Sequence, residues 1–455
     1  MLRLVGGQVE SLFDLGLPVE VRDLPGDLAA LDELLEDRRL LAPIEAAWEQ
    51  VALGHGRPTI AMTTFVRLMV IKTRTGWGYE TLVREVSDSL HLRRFCLIAL
   101  TERVPDESTV RKLTRRLGAE VVDEITRAVI TKATRERRFI TRAVRIDSTV
   151  VEADVRYPSD AGLAGDATRM LAREAAEARR LAGAGARQVR DRSRAAGKLL
   201  RQIHRTFARR TGQAKATVLR LTGEAGELVK RSVRETRALA AQLRRRARGR
   251  GAQAKLRAAR RLDELADRAH KVADQITKRL AGEPITDRLV SLADPDARPI
   301  RRGKLGVPNE FGYVFQIAEI TENTRRGARG LILPAPTTIG NPKEDTLLPK
   351  TTAELERLKL RPRDVALDAG FNPGPVSDAF PDAGRVFIAG RRSAGSRRTD
   401  RRLARYRVGA EGRISHLKRR YGLRRTRLKG QAGAKTSVGW SILTYNLDTL
   451  AIRPA

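Results

Sequence analysis

Three acidic residues stand where their surroundings give a carboxylate no ordinary structural task. Asp147 lies inside the apolar run VRIDSTVV, and Asp368 closes the run DVALD. Glu411 is the one acid between Arg401 and Arg420, in a stretch that also carries Arg402, Arg405, Arg407, Arg413, Lys418 and Arg419. Taking an unpaired carboxylate out of water is costly, and the carboxyl end of a strand is where open α/β sheets place their sites. Singly, Asp147 and Asp368 also read as capping or salt-bridged residues, and Glu411 as a surface counter-charge. Together they suggest chemistry. Hard divalent cations take carboxylate oxygens together with substrate phosphates. Two such ions, about 4 Å apart, stabilise both the attacking and the leaving oxygen in phosphodiester transfer. Three acids in a strongly basic frame supply metal ligands, and the flanking Arg and Lys supply contacts for DNA.

Positioning these acids requires strands and helices in a definite order. The β-branched run FITRAVRIDSTVV (139–151) reads as a strand. FGYVFQIAEI (311–320) and RGLILPAPT (329–337) read as a β-pair joined by a polar turn. A helix near Leu347–Leu358 follows, then strands at DVALDAG (364–370) and RVFIAG (385–390). Next comes the stretch 391–430, with 16 Lys/Arg against two acids, and the apolar closing helix SVGWSILTYNLDTLAI. With residues 165–282 set aside, the order is β-β-β-α-β-α-β-α, an α/β layer with mixed strands.

The remaining chain is helical. Residues 1–60 contain a leucine-rich helical pattern from Leu28 to Leu53. Residues 61–138 read as a compact unit of short helices with apolar spacing through Phe65, Leu68, Met69 and Ile71, and again through Leu82, Val83, Val86 and Leu90. After Pro105 a third helix opens at VPDESTVRKLTRRLG, with Asp106 or Ser108 as its cap. This spacing suits a helix-turn-helix-like DNA-binding domain, and equally any small helical bundle. Residues 161–280 hold 32 Lys/Arg, 11 Asp/Glu and a single aromatic, Phe207, with glycine breaks near 183–185, 212 and 249–251. Three or four long Ala/Arg helices follow from that, folded as hairpins or coiled coils. They form either an arm along DNA phosphates or a solvated dimerisation arm.

Composition narrows the classes. The 455 residues carry a net charge of +35, with 31% charged and 41% hydrophobic residues, so the chain can build cores and binds polyanions. The single cysteine, Cys96, excludes an internal disulfide, a zinc ribbon and an iron–sulfur centre, and the five histidines show no metal-ligand spacing. No apolar run reaches the roughly 18 residues of a membrane span. The opening MLRLVGGQVESLFDLGLPVE lacks the order of a signal peptide. The expected location is the cytoplasm.

The motifs resemble those of DDE transposases of bacterial insertion sequences, of the ISNCY-like kind, which have an RNase H-like catalytic domain. RIDSTVVEADVRYPSD, with Tyr157-Pro158-Ser159-Asp160, resembles the first-Asp motif, and DVALDAGFN the second. RVGAEGRISHLKRRYGLRRTRLKG resembles the Glu-bearing helix, and SVGWSILTYNL the closing helix. GYETLVREVSDSL and VPDESTVRKL resemble the amino-terminal domain that precedes such cores. In the Glu motif, Arg407, Glu411 and Lys418 fall at the family's intervals, whereas the tyrosine position is filled by Ala404, with Tyr406 two residues later. Asp147 and Asp368 are 221 residues apart because the basic helices interrupt the fold after its first strand; Asp368 and Glu411 are 43 apart.

The resemblance implies an α/β RNase H-like core of mixed sheet with flanking helices, preceded by an all-α amino-terminal domain and interrupted by a long basic helical insertion. The expected division is 1–60, 61–138, 139–164 (first part of the core), 165–282 (insertion) and 283–455. It implies that Asp147, Asp368 and Glu411 bind two Mg²⁺ ions, with Mn²⁺ able to substitute. It also implies DNA contacts from Arg407, Arg413, Lys418, Arg419 and Arg420, cleavage and transfer of double-stranded DNA ends, and a homodimer in the synaptic complex. A noncatalytic architectural DNA-binding protein explains the charge but leaves Asp147 and Asp368 idle, and a nuclease that cuts without joining shares every residue. Glu152, Asp154, Asp160 and Asp364 read as surface, positional or capping acids; Trp77, Trp440 and Cys96 read as core.

Overall fold

Prolines open the first helices, where a missing N–H costs nothing. Pro18 precedes α1 (Val19–Arg22) and Pro25 precedes α2 (Gly26–Leu35), and α3 (Ala42–Glu49) follows. The computed structural model describes residues 2–6, 16–49, 58–136, 139–209, 211–304, 307–391 and 395–452. The end of the leucine-rich pattern, 50–53, lies outside the described residues. α4 (Met62–Thr75), α5 (Tyr79–Asp88) and α6 (Leu90–Phe95) come next. The sequence gives α4 one apolar face, yet Met62 through Ile71 are buried all round. Arg67 on its polar side is covered too, because Asp32 of α2 meets it at 2.5 Å. α7 (Glu107–Arg135) is capped by Asp106, whose Oδ1 accepts from the Thr109 amide at 3.0 Å, while the Ser108 hydroxyl donates to the same carboxylate. It bends at Gly118, whose φ of 68° falls in the left-handed region that glycine occupies without a Cβ penalty.

The chain forms two compact units, Met1–Asp154 with Gly312–Ala455, and Val155–Phe311. The expected separation of an amino-terminal helical domain from the core is therefore not observed. α7 and the final helix α15 (Gly430–Ala451) pack along one another inside the first unit. Val122, Ile125 and Val129 share one core with Trp440, Leu443 and Leu447.

The second unit takes α8 (Asp160–Ala182), α9 (Ser193–Phe207), α10 (Gly212–Arg245) and α11 (Ala252–Leu280). It begins before the expected residue 165 because Leu163, Ala164, Ala167 and Leu171 of α8 are buried among Val229, Val233, Leu265 and Val272. α10 and α11 are antiparallel: Gly226 faces Ile276, and Arg237 pairs with Asp267 at 2.8 Å. Alanine and glycine on the inner faces let these helices approach, and the arginines stay outside. Asp160 is not a surface acid: it is buried and held by Arg279 and by Arg288, the latter at 2.7 Å.

In the first unit, β-branched alternation builds β1 (Ala143–Ala153). β2 (Arg298–Lys304), of the second unit, pairs with β3 (Val307–Thr321), whose first residues belong to that unit too; β3 then runs antiparallel to β1, with Asp147 opposite Ile317. The expected strand 329–337 is split into β4 (Leu331–Ile332) and β5 (Thr337–Thr338), both on β3, because Pro334 and Pro336 cannot donate to a ladder. α12 (Leu348–Arg357) leads to β6 (Asp364–Leu367), parallel to β1, and α13 (Pro373–Ala379) leads to β7 (Arg385–Ile388), parallel to β6. α14 (Arg397–Arg420) then crosses β1, and β8 (Arg425–Thr426) joins the far end of β1 before α15. The sheet order is β2-β3-β1-β6-β7, with β4 and β5 on β3. Among the described residues no helix is long and apolar enough to cross a membrane.

Candidate active site

Three elements bring the acids to the carboxyl end of β6, beside the middle of β1. Asp147 lies one residue past the last β1–β6 pair, Ile146 with Leu367, and Asp368 is the first residue beyond β6 rather than its last. The two carboxylates are thus neighbours across a parallel pair, and Glu411 arrives on α14. Arg407, one turn before Glu411, donates to Asp368 Oδ1 at 3.0 Å and to Glu411 Oε1 at 2.9 Å. Acids far apart in sequence share one guanidinium.

Electrostatics at the site are unbalanced. Burial raises the Asp147 carboxyl to about 6, and the charges of Asp368 and Glu344 add to the rise. The Ser148 amide, donating to Oδ1 at 2.7 Å, and the Arg407 charge oppose it. Among the described residues, no group of three or more His, Cys, Asp or Glu side chains is arranged to hold a metal ion. The Arg407 guanidinium stands between Asp368 and Glu411. Both partners are substantially exposed, at 44% and 61%, and such solvent-facing pairs contribute roughly 1 kcal/mol or less.

Beneath the site runs a buried ion network that the sequence reading missed. Arg145 and Glu319 are cross-strand partners on β1 and β3 and are only 2% and 1% exposed. Arg145 Nε and Nη2 donate to Glu319 Oε2 at 2.8 and 2.6 Å, and its Nη1 donates to the Tyr406 carbonyl at 3.0 Å. Arg145 and Asp147 share a face of β1, so the residue that grips α14 lies beside the first acid. Gly409 permits the approach, since a Cβ there would lie 1.9 Å from Arg145 Nη1. The same rule that singled out Asp147, an acid inside an apolar strand, would have found Glu319 in FQIAEI.

Other expected residues fall into place or out of it. Arg413, expected to contact DNA, turns inward and donates to Glu319 Oε1 at 2.9 Å, which withdraws it from that set. Lys418 is half-buried, and Arg419 and Arg420 are exposed. Tyr406 is core: its hydroxyl meets Thr321 Oγ1 at 2.7 Å, and burial pushes the phenol well above its ordinary range. Glu152 pairs with Arg425 at 2.8 Å, and Asp364 meets Arg402 at 3.1 Å rather than capping a turn. Trp440 is buried edge-on to Phe65, and Cys96 is buried. Glu344, in the polar turn NPKEDTL before α12, gave no sequence signal; only its placement beside Asp147 reveals it.

Residues 21–116 match the family model described as a transposase domain, DUF772. The match covers α2 to α6 and the first part of α7, and ends before the sheet and the three acids. It supports a transposase family and a transposition-related function. Neither the curated proteins nor the solved structures give a match.

Proposed function

We propose that the chain is a DDE transposase with an RNase H-like core, which cuts the ends of its own element and joins them to target DNA. The observation that carries this reading is the sharing of Arg407 by Asp368 and Glu411, with Asp147 alongside. The sheet supports it: the central strand β1 has the antiparallel β3 on one side and the two parallel strands β6 and β7 on the other. The transposase-domain match supports it independently, since it rests on other residues.

The reaction is two in-line displacements at phosphorus. Water attacks the phosphodiester at the element's end and frees a 3′-hydroxyl; that hydroxyl then attacks a target phosphodiester, expelling a second 3′-hydroxyl, with no covalent protein intermediate. Asp147, Asp368 and Glu411 would hold Mg²⁺, which when bound polarises the phosphate and activates the attacking oxygen. The chain's own part is to bind and orient. Asp147, at about 6, is ionised at neutral pH. Arg407, once released from the acids, can reach the scissile phosphate. Lys418, Arg419 and Arg420 extend the basic surface along α14. On the second unit, Arg194, Lys198, Arg201 and Arg205 form one exposed stripe on α9, a helix without an acid, opposite the buried Ala196 and Ile203. That stripe suits a DNA backbone.

The test separates binding from chemistry. Glu411→Gln should shift labelled DNA of the flanking ends as wild type does, while losing Mg²⁺-dependent nicking by at least a hundredfold. Full nicking by Glu411→Gln would remove the third acid from the assignment.

A further inference from the structure

We propose that a cavity at the carboxyl end of α14 binds a phosphate group, with His416, Arg329 and Arg420 as its donors. The site needs neither the three acids nor a metal ion. The cavity, about 480 Å³, is walled by the ends of α14 and α15, the start of α2, Arg74 of α4 and Arg329. Its acids are already occupied. Asp448 Oδ2 accepts from the Tyr421 hydroxyl at 2.8 Å, and its Oδ1 meets Arg74 Nε at 3.2 Å. Asp27 accepts from Arg74 Nη2 at 2.9 Å. Arg329 and Arg420 remain. Arg329 Nε donates to a neutral oxygen, Thr449 Oγ1, at 3.0 Å, and among the described residues neither arginine meets an acid.

His416, one turn before Arg420, lines the same cavity. Two edge-on tyrosines set its ring: Tyr421 at 5.4 Å and Tyr445 at 6.2 Å between centroids. The tyrosines are fixed in turn, Tyr421 by Asp448 and Tyr445 by the Gly330 carbonyl, to which its hydroxyl donates at 3.1 Å. The imidazole is therefore held in place, yet neither ring nitrogen has a hydrogen-bond partner among the described residues. Guanidinium groups take phosphate oxygens in pairs, and an imidazole N–H supplies a further contact. Burial, then the charges of Arg329, Arg413, Arg420 and Arg419, push the His416 pKa down, and a bound anion offsets that excess of positive charge. Arg420 lies nine residues past Glu411, about two and a half turns, so the cavity is on the side of α14 away from that acid. The phosphate it takes is not the scissile one. It belongs to the backbone of DNA crossing that side of the helix or to a free nucleotide, which present the same chemistry.

The test follows ¹³C-labelled histidine in the full chain by nuclear magnetic resonance, where five side chains report and His416→Gln identifies the His416 signal. Every sample contains EDTA, so the outcome is independent of the metal-dependent reading above. Inorganic phosphate should move the His416 signal saturably, and chloride at equal ionic strength should not. Arg420→Gln, at an exposed position, should weaken phosphate binding roughly tenfold or more, and Arg329→Gln likewise. If Arg329→Gln does not fold, Arg420→Gln decides. The same shift with a short duplex of unrelated sequence identifies DNA as the source of the phosphate; a shift with deoxyadenosine monophosphate but not with the duplex identifies a free nucleotide. A His416 signal unmoved by phosphate, or phosphate affinity unchanged in Arg420→Gln, would overturn the proposal.

Discussion

Asp147 is a costly residue for the fold taken alone, which is why it is informative. Its carboxyl is raised from an ordinary 3.8 to about 6 by burial and by two neighbouring acids. A raised acid favours the folded state fully below its unfolded value and loses that advantage as pH climbs through the folded one. The difference, about 2 pH units, is worth about 3 kcal/mol at neutral pH. Asp147→Asn in EDTA should therefore melt several degrees above wild type at pH 7.5, and the two curves should converge as pH falls from 6 to 4. Equal melting at both ends of that range would mean that Asp147 is not under this pressure. At this scale the sequence was legible where chemistry and pattern conflicted: Asp147 inside VRIDSTVV announced itself. Glu344 did not, because an acid in a polar turn is unremarkable until the turn is folded against Gly370. Arg413 misled for the opposite reason, since a cation in a basic helix looks exposed even when Glu319 holds it inward.

The elements depend on a few close contacts. Gly409→Ala places a Cβ against Arg145 Nη1 and must push α14 away from β1 or break the Arg145 bond to Tyr406. Overpacking of this kind costs about 1–3 kcal/mol. Because α14 carries Arg407 and Glu411, nicking should fall more than melting does, and an active Gly409→Ala chain would show that this seam does not position the site. Asn446 on α15 works as a substitute strand: its Oδ1 accepts from the Ile332 amide and its Nδ2 donates to the Ile332 carbonyl, both at 2.8 Å. Asn446→Leu orphans both buried groups and should lower stability by about 2–4 kcal/mol, read by urea denaturation; a loss under 1 kcal/mol would contradict that role. The Asn-Leu pair was visible in the sequence, but its task was not, because β4 is two residues long and its edge can be seen only once Pro334 and Pro336 have broken the strand.

At the scale of the whole molecule, charge and chemistry are distributed differently. The three acids belong to the first unit, whereas residues 161–280 hold +21 of the net +35. Replacing Arg194, Lys198, Arg201 and Arg205 by Gln should weaken DNA binding about equally for all sequences and reduce the log–log salt slope by roughly 3 to 4. An unchanged slope would take α9 off the DNA. The long helices of the second unit followed from periodicity and from glycine breaks, because those signals are local. The all-round burial of α4 and the joining of the first helices to the sheet did not, because which faces are covered is decided by elements distant in sequence. The central claim, metal-dependent cleavage and joining by three assembled acids, is tested most directly with labelled DNA carrying the flanking ends, in Mg²⁺ or EDTA. Wild type would be run beside Asp147→Ala, Asp368→Ala and Glu411→Ala. The expected result is nicking and strand joining by wild type in Mg²⁺ only, absent from all three variants although each still binds. Binding by wild type without cleavage, or cleavage that survives loss of the acids, would contradict it.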